Sequence, residues 1–516
     1  MHRPLIDVQP PEQPRNTHSR REFLRNLACG AAAFGSLTSL TQRSLAYEIT
    51  QRIRKVRTSP ALDPQLLALV NRTSFGFSRA QYAIADEMGY KDYLEWQLDY
   101  ENIDDNETDV KLAAYPTLTM TSQEIRDNYD NDSDRFVPAL ELMSSTFERS
   151  AYSQRQLFER MVEFWTDHFS IFMGDDLALF LKTADDRDVI RQYAMTSFPE
   201  LLNASARSAA MLWYLDNYIN QVGHAQENYS RELMELHTLG VTGPYTQQDV
   251  EEVARCLTGW TIYDSPNFGN FAFWGPFHDY GTKVVLGQVI PPNGGESDGQ
   301  TILDILAYHP STAAFISRKL CVHFLGYEPA ENVVSGCTQT YLDTGGDIKS
   351  MLRYILREQT ITTYATPKLK RPNHLLASMV RATGATAFIN NPPNYPFLGT
   401  LQLMGQLPFW WEPPNGYPDS LGAWVGGQLP RWQAASYFFD GWLGTTYDLN
   451  GLILSEHGQQ PGQQATAIDR ILTGGTFSEY EIIRLQEFRD QQSQLDPWAT
   501  NDLFGLAASC PGFQWY

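Results

Sequence analysis

Residues 151–173 read AYSQRQLFERMVEFWTDHFSIFM. Within them Leu157, Met161, Phe164, Trp165, Phe169 and Phe172 recur at steps of three and four, the spacing that puts apolar side chains on one face of a helix. The spacing predicts a long amphipathic helix from Ala151 to Met173. It also places a lone imidazole, His168, among aromatic residues.

The same period extends in both directions. Asp63-Pro64 offers an N-cap followed by a first-turn proline, and Ser78 opens a second helix. Asp188 to Tyr193, Pro199 to Tyr214, Asn228 to Leu239 and Gln247 to Trp260 repeat the helical spacing. So do Ser311 to Phe324, Asp347 to Glu358, Pro372 to Thr383, Ser478 to Phe488 and Asp496 to Ala507. Strand signals are sparse. Asn270 to Trp274 alternates weakly and Lys283 to Leu286 is a short β-branched run, which together predict one hairpin inside an irregular insertion, 262–299. Strands do not alternate with helices, so a parallel sheet is not expected. Two further zones read as irregular: the acidic Glu101 to Asp134, and Asn390 to Asp419, dense in proline, glycine and aromatic residues. No internal repeat is visible. The expected fold is all-α: a single large multi-helix domain over residues 47–516 with a small β-hairpin insertion and long ordered loops.

Composition supports a packed body. The 516 residues are 42% hydrophobic and 13% aromatic, which excludes a chain dominated by disorder. The net charge of -21 is the wrong sign for a nucleic-acid binder. No run of 18 apolar residues occurs, so the mature chain is not expected to span a membrane.

The first 46 residues read as an address. Ser19-Arg20-Arg21-Glu22-Phe23-Leu24 matches the twin-arginine pattern and precedes an apolar stretch from Leu27 to Leu40. Arg43 and the small-residue cleavage site Ser44-Leu45-Ala46 follow. The expected location is therefore periplasmic or secreted. Cys256, Cys321, Cys337 and Cys510 remain after cleavage. None forms a CxxC pair, which removes support for iron–sulfur, c-type haem and structural zinc sites. Cys321 and Cys337 are near enough in sequence for a bridge, and small buried apolar residues are the competing reading.

Three segments could carry chemistry. The first is Asn228-Tyr229-Ser230-Arg231-Glu232-Leu233-Met234-Glu235-Leu236-His237-Thr238-Leu239-Gly240, where Glu232 and His237 offer a carboxylate and an imidazole. A salt-bridge network with a capping histidine explains the same residues. The second is Phe277-His278-Asp279-Tyr280-Gly281-Thr282-Lys283, a loop joining an imidazole, an acid and a cation. The third, Gly294 to Gly299, is acidic and precedes a helix, so a cation site or helix capping is expected there. Asp130 to Asp134 alternates acids but lacks the glycine and glutamate of a calcium loop. No Walker A, HExxH, nucleophile-elbow or dinucleotide motif is present.

Taken together these segments resemble the bacterial family known as domain of unknown function eighteen hundred (DUF1800-like). The resemblance rests on Leu69 to Gly76, Phe164 to Phe169, Glu227 to Gly240, Tyr245-Thr246 with Asp249-Val250, and Ala254-Arg255 with Leu257 to Trp260. It continues through His278-Asp279 with Lys283, His309-Pro310, Met404 to Gln406, Gly416 to Asp419, and the ending Ser509 to Gln514. It implies export, often by the twin-arginine route, and a sulfatase-like exported protein as a partner. It implies no reaction or cofactor.

Two readings follow. The first is an exported enzyme using a divalent metal, with His168, Glu232, His237 and His278 as ligands and Glu232, His237, His278, Asp279 and Lys283 as catalytic groups. It would hydrolyse a cell-surface or extracellular polymer. The second is a non-catalytic envelope binding or assembly protein, in which rings near Trp410, Trp411, Tyr417 and Trp424 stack on a surface polymer or glycan. The first requires His168, His237 and His278 to gather in space.

Overall fold

A computed structural model describes residues 62–131, 133–387, 396–460, 462–492 and 498–516. The expected export signal over residues 1–46, Asp132 of the acidic loop, and Asn391-Pro392-Pro393 lie outside these. The fold is all-α, with three small antiparallel strand pairs among the described residues. The chain divides into two compact units. No helix among the described residues is long and apolar enough to cross a membrane.

The first unit takes the described residues up to Gly89, with Pro367–Gly405 and Trp424–Tyr516. Its opening helix, Pro64–Thr73, starts as the sequence predicts: the Asp63 carboxylate accepts from the Gln65 amide at 2.8 Å, and Pro64 fills the first turn. Helix Pro372–Thr383 is buried along its whole length. The chain end is locked by Arg431, itself buried. Arg431 donates to Gln514 Oε1 at 2.7 Å and to the Lys370 carbonyl at 2.5 Å.

The second unit takes Tyr90–Thr366 and Gln406–Ala423. Its helices include α1 (Asn106–Leu112), α2 (Val137–Tyr152), α3 (Gln156–His168), α4 (Ala178–Asp185), α5 (Glu227–Glu232), α6 (Gln247–Cys256), α7 (Glu296–Ala307) and α8 (Pro310–Leu325). The long helix expected over 151–173 is broken. Tyr152 ends α2, the buried Ser153 leaves helical backbone at φ -56° and ψ 138°, and α3 stops at His168. On α3, Leu157, Met161 and Trp165 are fully buried, each worth about 2 kcal/mol of apolar burial. The Trp165 indole donates to the Ala194 carbonyl at 2.9 Å.

Two helices change pitch. α4 continues into a π-helical segment, Asp186–Arg191, and α5 into a second, Leu233–Thr238. The expected irregular zone 101–134 also contains helix. Thr121 and Glu124 form a reciprocal capping box that starts Ser122–Tyr129. In the insertion the two predicted runs do not pair with each other. β1 (Trp260–Ile262) pairs with β2 (Phe271–Phe273), and β3 (Lys283–Val285) pairs with β4 (Gln288–Ile290). Cys256, Cys321, Cys337 and Cys510 are buried and free.

Candidate functional site

His168 is the last residue of α3 and is 1% exposed. Edges of Trp165 and Phe169 enclose its ring, with centroids at 5.4 and 4.6 Å. Its Nε2 lies 3.1 Å from the His237 carbonyl oxygen. A carbonyl only accepts, so this nitrogen carries the proton and donates, and Nδ1 is left as an acceptor. Lys319 on α8 donates to it, its ammonium 2.8 Å from Nδ1. A directed chain results: Lys319 to His168 to the backbone of His237.

His237 reaches this position through the π segment. The Leu239 amide bonds the Met234 carbonyl at 2.9 Å, and the Thr238 hydroxyl donates to the Leu233 carbonyl at 2.7 Å, both spanning five residues. Such segments recur at functional sites. The following residue, Gly240, holds φ +84°, and a side chain there would meet the Phe315 ring of α8 at 3.0 Å. The two rings, His168 and His237, lie 6.1 Å apart. His237 is 1% exposed, and among the described residues neither of its ring nitrogens has a hydrogen-bond partner. Burial and then the Lys319 charge push its pKa down to about 3, so it is neutral. Burial, with Lys319 and His237 adding to it, likewise drives His168 well below the usual range.

Lys319 is half-buried, with its amine end against His168. Burial pulls the ammonium down to about 8 against the pull of Asp167 and Asp419. Asp419 comes from the loop Gly416 to Asp419, which crosses the end of α3 closely. Gly416 has φ +68°, and a Cβ there would sit 2.0 Å from the Asp167 carbonyl oxygen. His323, one turn beyond Lys319 on α8, packs edge-on against Phe164 at 5.3 Å. Its Nδ1 lies 3.8 Å from Asp419 Oδ2.

His278, Asp279 and Lys283 belong to a different network. The buried His278 ring places Nδ1 2.8 Å from the Thr258 carbonyl and Nε2 3.1 Å from Asp298 Oδ2. The fully buried Lys283 ammonium pairs with the same Asp298 oxygen at 2.5 Å and also donates to the Asp279 carbonyl. Asp279 accepts from Arg255 Nε at 2.8 Å, which holds its carboxyl below the usual carboxylate range. The acidic first turn of α7 therefore supplies a counter-ion to Lys283. The arrangement is a saturated buried ion cluster that ties β3 and α7 to the loop at His278.

Glu232 stands apart from both groups. It is half-buried and hydrogen-bonds neither imidazole. Burial raises its carboxyl, repulsion from Glu235 adds to this, and Arg231 opposes it. Arg231 pairs instead with Glu227 at 3.0 Å and Glu235 at 3.7 Å.

The expected four-residue metal set is therefore corrected. Both ring nitrogens of His168 are engaged, one as donor to a carbonyl and one as acceptor from an ammonium. Both of His278 are engaged as well. Among the described residues, no three His, Cys, Asp or Glu side chains are placed to hold a metal ion. His168 and His237 do come together; His278 joins neither. The rings near Trp410 are also corrected as an open platform. Tyr417 and Trp424 are buried, and Trp410 packs edge-on against Phe172 at 5.3 Å.

Sequence reading missed Lys319, His323, Asp419 and the pairing role of Asp298. Lys319 and His323 are four residues apart on a well-signalled helix, a spacing that puts both on one face. That signal was legible. The partnership of Lys319 with His168, 151 residues away, was not.

A family model described as "Protein of unknown function (DUF1800)" matches residues 68–515. No curated protein and no solved structure matches the chain.

Proposed function

We propose, for a chain that belongs to the DUF1800 family of proteins of unknown function, an exported enzyme that hydrolyses a cell-surface or extracellular substrate with Lys319 as its proton-transfer group. The observation that carries this reading is the Lys319 ammonium, held 2.8 Å from His168 Nδ1 and drawn down to about 8. An amine with that pKa exchanges a proton near neutral pH, which an ordinary lysine does not. His168 is a positioning residue: its tautomer, fixed by the His237 carbonyl, aims the amine. The two vacant nitrogens of His237 provide hydrogen-bonding capacity for a substrate hydroxyl or a water. Neutral Lys319 takes a proton from the attacking water and, as ammonium, returns it to the leaving group. This reading replaces metal-assisted hydrolysis, because an ammonium occupies the nitrogen that a metal would need.

The test is a panel of chromogenic esters and glycosides with protein recovered after native export. Activity rises with pH along a limb centred near 8. Lys319→Met and Lys319→Arg each lose at least about 100-fold, the arginine because it keeps the charge without the base. Retention of activity by both variants refutes the assignment.

A second reading, a non-catalytic envelope protein that binds a glycan or a sulfatase-like exported partner, is favoured by a different set of rings. Trp274 and Phe277 stack at 5.5 Å, 14° from parallel, and both are exposed, as are Tyr263 and Tyr280. Rings held open in this way suit stacking on sugars or on a protein surface. Trp274→Ala should then abolish co-purification of glycan or partner while leaving the stability of the fold unchanged.

A further inference from the structure

We infer that the second unit carries a binding cleft for a singly charged oxyanion, a carboxylate or sulfate ester on a larger organic body, centred on Arg149 and Thr183. The inference is independent of the Lys319 reading. The cleft holds about 470 Å³, the size of a small-molecule site. α1, α2, α4 and the π segment Asp186–Arg191 contribute to its wall. Arg149, Arg187 and Arg191 line it together, in a chain whose net charge is -21.

Two of these arginines are already committed. Arg187 grips Asp188 through two 2.7 Å bonds and donates to the Leu118 and Met120 carbonyls. Arg191 pairs with Glu159 at 2.5 Å. Arg149 is different. Among the described residues it makes no ion pair, and its side chain has only a long 3.5 Å contact to Ser145 Oγ. Burial, and then repulsion from Arg191, outweigh the attraction of Glu159, Asp186 and Asp109, drawing the guanidinium down to about 10. Among the described residues the half-buried guanidinium therefore feels nearby carboxylates but is in direct contact with none.

A second observation points the same way. Thr183 lines the cleft and is 1% exposed, and among the described residues its hydroxyl has no hydrogen-bond partner. A buried threonine on a helix ordinarily returns its hydroxyl to a carbonyl one turn back, as Thr73 does to Leu69 at 2.9 Å. Thr183 does not. An oxyanion in the cleft would satisfy the guanidinium fork with two oxygens, and a rotation of the Thr183 side chain would bring its covered hydroxyl round to donate to it.

The remaining lining sets the ligand's character. Asp109 and Asp186 also face the cleft, which disfavours a dianion such as phosphate. Leu112, Leu118 and Leu142 supply apolar wall for the body that carries the charge.

The test uses the full-length exported protein with sodium glucuronate and glucose 6-sulfate as probes, and glucose and inorganic phosphate as controls, at constant ionic strength. Binding is read by calorimetry and by the shift in thermal midpoint. At least one of the two monoanions binds, and which one does identifies the head group. Arg149→Gln weakens binding at least about tenfold while raising the midpoint of the unliganded protein, because an unpaired buried charge is removed. Thr183→Val weakens binding roughly tenfold without lowering the unliganded midpoint. The inference is overturned if glucose or phosphate binds as tightly as the monoanions, or if neither monoanion binds. It is also overturned if Arg149→Gln leaves the affinity within about twofold.

Discussion

His237 sits at a local cost. Two buried ring nitrogens without partners forfeit about 1–3 kcal/mol relative to a satisfied or apolar side chain. His237→Leu should therefore raise stability at pH 7 by about 1 kcal/mol, measured by urea unfolding, while reducing turnover. The same residue gives a pH dependence. The unfolded chain protonates its imidazoles below 6.5, whereas the folded protein keeps His237 neutral to about 3 and His168 neutral well below its ordinary value. Where the unfolded state binds more protons, stability rises with pH. The contribution is complete above 6.5 and falls on acidification, by up to about 1.4 kcal/mol per pH unit for each histidine. Unfolding series between pH 6 and 4 should show a slope shallower by one proton in His237→Leu; an unchanged slope contradicts the neutral assignment. These residue roles were half legible. His168 and His237 stood out by type, but no local pattern tells a buried histidine with open nitrogens from one with closed ones.

At the scale of elements, the helical segments were legible because the apolar steps of three and four survive in the sequence. The points where helices stop or change pitch were not. Ser153 breaks the expected helix over 151–173, and the i→i+5 winding of Leu233–Thr238 rotates His237 out of the register that a 3.6-residue period assigns it. Thr238→Val removes the side-chain bond that helps close this turn and should cost about 1 kcal/mol, with faster amide exchange at Leu239. The insertion depends on its ion cluster. Asp298→Asn leaves Lys283 and His278 buried without a counter-ion and should cost about 3–5 kcal/mol, seen as a lowered thermal midpoint. A loss below about 1 kcal/mol would mean that the cluster is solvated and weak.

For the whole molecule, the all-α class and the family were readable from the sequence, the class from periodicity and the family from long motifs. Three motif segments, Phe164 to Phe169, Glu227 to Gly240 and Gly416 to Asp419, meet around Lys319, a convergence that only the folded chain displays. The proposed export belongs to this scale as well: on that proposal, replacing both Arg20 and Arg21 with Lys should leave the protein in the cytoplasm on fractionation. The central claim concerns one amine and its imidazole. Lysine side-chain NMR titration, with Lys319→Met to assign the resonance, tests it most directly. The account predicts a lysine signal that titrates near 8 in the wild type and is lost in Lys319→Met. If the signal lost in that variant instead titrates near 10.5, the value of an unperturbed lysine, the proposed proton-transfer site is contradicted.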